Sequence, residues 1–389
     1  MNFAKTKHKT RSARNVASKS ATPSGNGRIS FRKVQNRYSA TSLTAPQKPN
    51  QPLKPLEGSP ASSTEALAGQ AVVIMGYGNQ GRAHALNLRD SGMRVTVGAR
   101  PGGRGAATAA ADGFSPLPLP EAARQGNLVI VALPDEMHAA CWASDLAPHL
   151  RPDAIVGFLH GFSIHHGLVK PASDLGVVMV APKGPGKTLR ERFEQGLGIP
   201  ALFAVHQGGR DAARTRAIGL AWAAGIGSAR AAIVETSFAA ECETDLFGEQ
   251  AVLCGGMMAL VQAAFDTLVQ AGYPPELAYM ECCQELKQIA DLVFERGPAG
   301  MRAAISNTAE FGAFEAGQQL VDDAMREKLR TILADIRGGA FGARFQADAT
   351  AGFPWMRAKR AAADADAIEA AGRGVRTWMP WLDNRKDSR

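Results

Sequence analysis

The apolar run Ala71-Val72-Val73-Ile74-Met75 leads directly into Gly76-Tyr77-Gly78-Asn79-Gln80-Gly81, and Arg82 to Asp90 then reads as helix and stops at Gly92. Strand, glycine turn and helix in that order make the phosphate-binding turn of a dinucleotide fold. The first glycine permits the tight turn, the second lets backbone approach a pyrophosphate, and the third lets helix pack on strand. The helix N-terminus then faces the phosphates. The second strand, Arg94 to Val97, ends in Gly98-Ala99-Arg100, where an NAD-binding chain carries an acid for the ribose 2′-hydroxyl. Here Arg100 and Arg104 replace it, a pairing suited to the 2′-phosphate of NADP. For Arg104 a solvated side chain in a glycine-rich loop is the alternative.

Strand-like runs recur at 128–133, 154–158, 177–180, 201–205 and 231–234, separated by helical or loop stretches. This alternation predicts an α/β domain over residues 67–238, a Rossmann-type doubly wound parallel sheet. Its ligands belong beyond the carboxyl ends of the strands. Those ends carry Asp135 and Glu136, His160-Gly161-Phe162, and Ala181-Pro182-Lys183-Gly184-Pro185-Gly186. The last run ends like a phosphate-binding P-loop, but Ala181 stands where its first glycine belongs, so it is not one.

From Phe238 the texture turns to long helical patterns, giving an all-α domain over 239–384 and a short tail at 385–389. Leu253, Met257, Leu260, Val261, Ala264, Phe265 and Leu268 recur at three- and four-residue spacing, a core stripe. Within these helices Asp245 and Glu249 stand four residues apart, and so do Glu281 and Glu285. Like charges at that spacing oppose a helix unless a cation compensates them. Four carboxylates without a His-Cys cluster favour a hard ion, Mg²⁺ or Mn²⁺. Solvated acidic faces are the alternative. Ser306-Asn307 reads as a helix cap.

The chain has 389 residues, 45% of them apolar, enough for two domains and an extension. Residues 1–56 hold twelve Lys and Arg and no acid, so the net charge of +8 belongs to the extension and the body is mildly acidic. Residues 1–66 are too polar to offset their ordering entropy and are expected to be disordered. They read as an organellar transit peptide, a nucleic-acid-attracting arm, or an extension without function. Five cysteines without C-x-x-C spacing fit a reducing compartment. No run approaches roughly 18 continuous apolar residues. A soluble, cytoplasmic protein without membrane or nucleic-acid partner is expected, or an organellar one if the extension is a transit peptide.

The glycine turn, His160-Gly161-Phe162, Ala181 to Gly186, Glu243-Thr244-Asp245-Leu246-Phe247-Gly248-Glu249-Gln250, Glu281 with Glu285, and Ser306-Asn307 together resemble ketol-acid reductoisomerase, class I short form. The resemblance runs from about residue 70 to Met379-Pro380-Trp381. It implies a knotted helical C-terminal domain, NADPH and two Mg²⁺ at the domain interface, and homodimers or larger homo-oligomers. The implied reaction is an alkyl migration in 2-acetolactate or 2-aceto-2-hydroxybutyrate followed by reduction to a 2,3-dihydroxy acid, in valine, isoleucine and leucine synthesis. By matching motif, Asp245, Glu249, Glu281 and Glu285 would bind the metals. His160 and Lys183 would be catalytic, and Ser306 would hold the substrate carboxylate. Gly76 to Gly81, Arg100, Arg104, Asp135, Glu136, Met137, His138 and Gly186 would meet the cofactor. Departures from the family pattern include Asn79, Arg82, Gly103, Gly105, Lys187 and Phe311. The competing readings are a catalytically impaired NADP-binding homologue with a sensor or assembly role, and a different two-domain dehydrogenase.

Overall fold

The computed structural model describes residues 52–58 and 62–382, so most of the basic extension lies outside the described residues. Seven strands form one sheet: β1 (Ala71–Met75), β2 (Arg94–Gly98), β3 (Leu128–Val131), β4 (Ile155–Phe158), β5 (Gly176–Pro182), β6 (Ala201–Gly208) and β7 (Ile233–Glu235). Their order is β2-β1-β3-β4-β5-β6-β7. Helices cover both faces, which is why β1 and β3 read as unbroken apolar runs rather than alternating ones. Val72 and Ile74 enter one core with Leu128 and Ile130, while Val73 and Met75 enter the other with Val129 and Val131.

Two strands depart from the all-parallel expectation: β6 runs antiparallel to β5, and β7, parallel to β6, shares its reversed direction. The reason is local. Lys183 N donates to Pro200 O at 2.8 Å, closing the chain between β5 and β6 into a long hairpin whose excursion holds the helix Gly186–Glu194. That helix packs on Asn79–Asp90 at the same end of the sheet, so the chain never crosses to the opposite end before re-entering it.

Chain order places β2 on one side of β1 and β3 on the other, so connections leave β1 in opposite directions. A crevice opens at such a point beyond the carboxyl ends of the strands. Within the stretch read as a disordered extension, Leu56 N donates to Ile233 O at 2.8 Å, Pro55 bridges Val234, and Glu65–Leu67 forms a 3₁₀ turn. Ordered structure therefore begins before residue 67.

Beyond β7, Ser237 caps the helix Phe238–Gly248 by accepting from Ala240 N at 3.1 Å. A π turn at Glu249–Leu253 carries the chain into the helix Gly255–Gln270. The 33-residue stretch Phe238–Gln270 is long and apolar enough to cross a membrane by length and composition alone; its most apolar 18 residues have mean hydropathy 1.7, and 11% of them are buried. Two small cores organise the helical part. One joins Val261, Phe265, Tyr279, Ile368 and Val375; the other joins Leu246 and Ile336 to Phe162 and Cys242. The helices Leu286–Arg302, Asn307–Leu320 and Pro354–Asp364 bury no residue, and Phe294, Phe311 and Trp355 stand exposed. Exposed apolar surface on this scale is larger than a lone soluble chain usually leaves to water.

Candidate active site

A cleft of about 1420 Å³ lies at the crevice beyond β1 and β3. Its floor is the glycine turn, and close contacts explain two of its three glycines. Gly76 has φ +98°, and a Cβ there would sit 2.6 Å from Ala132 O. A Cβ on Gly81 would lie 2.3 Å from Gly76 O, whereas Gly78 faces open space. Gly78 also starts the helix Asn79–Asp90 without a side-chain cap, which leaves its first N–H groups for a phosphate. Gly186 belongs to the same cradle: a Cβ there would meet Asn79 O at 2.1 Å, and Gln80 Nε2 donates to Gly184 O at 2.9 Å. These contacts leave room at the turn for backbone to approach a pyrophosphate.

Gly76, Tyr77, Gly78, Asn79, Gln80, Arg100, Arg104, Asp135, Met137, His138 and Gly186 line the cleft; Gly81 and Glu136 do not. Arg100 and Arg104 are exposed, and neither forms an ion pair with any described residue. Two uncommitted guanidinium groups at the end of β2 fit a phosphate on the adenine ribose. His138 is buried with both nitrogens engaged. Leu133 O can only accept, so Nε2 carries the proton, and Ser163 Oγ donates to Nδ1 at 2.7 Å. Burial lowers its pKa and holds it neutral. It therefore shapes the cleft wall and has no free nitrogen for the cofactor.

Beside the cleft, the end of β4 presses against the first turn of Phe238–Gly248. A Cβ on Gly161 would lie 2.2 Å from Phe238 O. That closeness delivers Glu241, 1% exposed, to three donors: Gly161 N at 2.8 Å, His160 Nδ1 at 2.9 Å and Lys183 Nζ at 3.0 Å. Lys183 Nζ also donates to Asp245 Oδ1 at 2.8 Å, and His160 Nδ1 lies 3.5 Å from Asp245 Oδ2. Burial would raise the Glu241 pKa, but its bonds from His160, Lys183 and Gly161 hold it below the usual range. Burial would likewise lower His160; contact with Cys242 and Glu241 and the charge of Asp135 override it and push the imidazole up to about 11. Lys183 is raised despite burial by Glu241 and Asp245. Ligand atoms of His160, Glu241 and Asp245 all lie within 4.8 Å of one another, a grouping able to hold a cation.

Sequence reasoning passed over Glu241. Its signal was present in the four-residue stripe Glu241, Asp245, Glu249, which places three carboxylates on one face of successive turns. Glu281 and Glu285 are exposed and stand outside the His160 cluster, the first within a π turn at Met280–Gln284 and the second just after it. Glu249 opens the other π turn of this region. Such turns recur at functional sites because they redirect side chains within a helix. Ser306 accepts from Ala309 N at 3.2 Å, so it does cap the helix Asn307–Leu320.

Comparison with known proteins agrees with this geometry. The family described as acetohydroxy acid isomeroreductase, NADPH-binding domain, matches residues 66–232, and ketol-acid reductoisomerase, C-terminal domain, matches 238–381. The solved structure of an NADH-preferring ketol-acid reductoisomerase from an uncultured archean shares 37% identity with a TM-score of 0.79, covering 81% of this chain and 96% of that one. A semialdehyde dehydrogenase NAD-binding protein from Cupriavidus necator, at 22% identity and TM-score 0.53, covers 69% of this chain and 98% of that one. At that identity the second likeness shows the fold alone.

Proposed function

Because the chain belongs to the ketol-acid reductoisomerase family, we propose that it isomerises 2-acetolactate or 2-aceto-2-hydroxybutyrate by alkyl migration and reduces the product to a 2,3-dihydroxy acid, in valine, isoleucine and leucine synthesis. NADPH is the proposed reductant, with two Mg²⁺ or Mn²⁺ ions. One observation carries this reading: His160 both lines the cofactor cleft and bonds the carboxylate cluster. Hydride donor and ion-held substrate can therefore meet at one point, the proximity such a two-stage reaction requires.

The donor set fits hard divalent ions. It is rich in oxygen, and the Lys183 ammonium lying between Glu241 and Asp245 marks a place where positive charge is stabilised. Asp245, Glu249, Glu281 and Glu285 would hold the ions, which when bound polarise the ketone and acidify the hydroxyl whose proton must leave. Glu241 acts beneath them, fixing Lys183 and His160 with its two oxygens. Lys183 Nζ gives two N–H groups to carboxylates and keeps the third for a substrate oxygen. His160 keeps a proton beside the cleft, and reduction of a ketone to an alcohol takes up one proton with each hydride. Ser306 Oγ accepts from Ala309 N, which leaves its own proton to donate to the substrate carboxylate.

Glu281, Glu285 and Ser306 are exposed on a helical surface with little burial of its own. A second copy that docks on this surface supplies both the remaining carboxylates and the apolar cover. The active form is then a homodimer at least, with the interface formed by residues after about 240. The test is NADPH oxidation driven by 2-acetolactate, with and without Mg²⁺. Turnover that requires Mg²⁺ is expected. Oxidation indifferent to Mg²⁺ points to another dehydrogenase, and absence of turnover with NADPH and NADH points to an impaired homologue. NADPH preference rests on Arg100 and Arg104, although the solved relative prefers NADH.

A further inference from the structure

The helix Arg104–Ala111 carries one of the two cations proposed for the 2′-phosphate, yet it is poorly anchored by packing. It has eight residues, buries only Ala109, and starts at Gly103 without a side-chain cap, directly after Gly102 at φ +70°. What ties it down converges on its far end. Asp112, the residue after the helix, accepts from Tyr77 Oη at 2.9 Å, from Arg82 Nε at 2.6 Å and from Arg82 Nη2 at 2.9 Å. Its backbone carbonyl accepts from Arg89 Nη1 at 2.7 Å, and Arg89 lies over Phe114 at 4.9 Å. The Tyr77 ring packs edge-on against Phe114 at 5.7 Å.

Tyr77 belongs to the phosphate turn, and Arg82 and Arg89 belong to the helix that follows it. The clamp therefore fastens the loop and helix beyond β2 to the part of the protein that grips the pyrophosphate. Burial and the Asp112 bond raise the Tyr77 pKa, and the bidentate Arg82 pair lowers that of Asp112, so both keep their bonding forms around neutrality. Both Arg82 and Asp112 line the cleft, but Arg82 directs Nε and Nη2 to Asp112. At about 1.5 Å rise per residue the helix is roughly 12 Å long. If the Asp112 end is released, the helix can turn about the glycines; the Arg104 Cα beside that hinge moves little, but its long side chain is redirected with the helix by more than a charge-assisted hydrogen bond tolerates.

We infer that Arg82 and Asp112 are positioning residues for cofactor selection: their ion pair, braced by Tyr77, sets where Arg104 stands and so sets the preference for a 2′-phosphorylated dinucleotide. This rests on the reading that the cofactor is NADP. The test is calorimetric titration of the full chain with NADP⁺ and with NAD⁺, without substrate, for wild type, Asp112→Asn, Arg82→Met, the double variant and Asp112→Glu. The Kd ratio between the two cofactors should shrink about tenfold in Asp112→Asn and Arg82→Met, the worth of roughly one charge-assisted hydrogen bond, with NAD⁺ binding nearly unchanged. The double variant should do no further harm, because the two residues act as one pair. Asp112→Glu, which keeps the carboxylate, should recover most of the ratio. Equal weakening of both cofactors would reduce the clamp to a fold contact and overturn the inference, as would an unchanged ratio. A wild-type ratio near one overturns the NADP reading itself.

Discussion

His84 offers a quantitative test of how the cofactor helix is held. It sits on Asn79–Asp90 with no exposed surface, and Trp222 Nε1 donates to its Nδ1 at 3.0 Å. The bond leaves the proton on Nε2, which has no partner among the described residues. Burial pushes its pKa from 6.5 down to about 3. The unfolded chain then binds a proton below pH 6.5 that the folded chain refuses until about pH 3, so this contribution to stability is complete above 6.5 and lost as pH falls. At pH 5 the loss is about 2 kcal/mol, from a 1.5-unit gap at about 1.4 kcal/mol each. The informative variant is His84→Gln, whose amide oxygen still accepts from Trp222 but does not titrate. Urea denaturation at fixed protein concentration, at pH 7 and pH 5, would compare the two proteins. Wild type should lose about 2 kcal/mol more than the variant on acidification, the difference removing every other carboxylate and histidine from the comparison. Identical losses in the two proteins would refute the picture of a neutral, desolvated His84.

Other outcomes follow from the site and the edges of the fold. Glu241→Gln should lower kcat by at least about 100-fold while NADPH binding stays within a few fold, because the amide faces Lys183 or His160 with the wrong polarity; kinetics with near wild-type kcat would count against its anchoring role. Asp245→Asn should abolish both isomerisation and reduction, measured by product analysis at raised Mg²⁺, and retained turnover would contradict a shared metal ligand. The end of the extension is not all dispensable, because Leu56 pairs with Ile233 at the β7 edge. Removing residues 1–58 should therefore spare kcat and lower stability by about 1 kcal/mol relative to truncation at residue 51, read from thermal unfolding. Sedimentation over a wide concentration range should show no folded, active monomer; finding one would remove the reason for assigning Glu281 and Glu285 to a neighbouring copy.

Short-range physics made much of this protein legible in its sequence. Strand limits follow from apolar runs bounded by turn residues, and the glycine turn follows from backbone angles and contacts that only glycine tolerates at Gly76 and Gly81. The acidic helices, the strand-end His160 and Lys183, and Arg100 in place of an acid could be read the same way, because each depends on residues a few positions apart. Tertiary structure decided matters that depend on distant contacts. It reversed β6, because Lys183 meets Pro200 and the intervening helix stays at one end of the sheet. It turned His138 inward, since Ser163 and Leu133 claim its nitrogens. It made Glu241 the anchor of the cluster by pressing Gly161 against Phe238, and it joined Tyr77 and Arg82 to Asp112 some thirty residues on. No local pattern encodes these pairings, for each forms only when packed elements bring donors and acceptors within about 3 Å and exclude the water that would otherwise bond them.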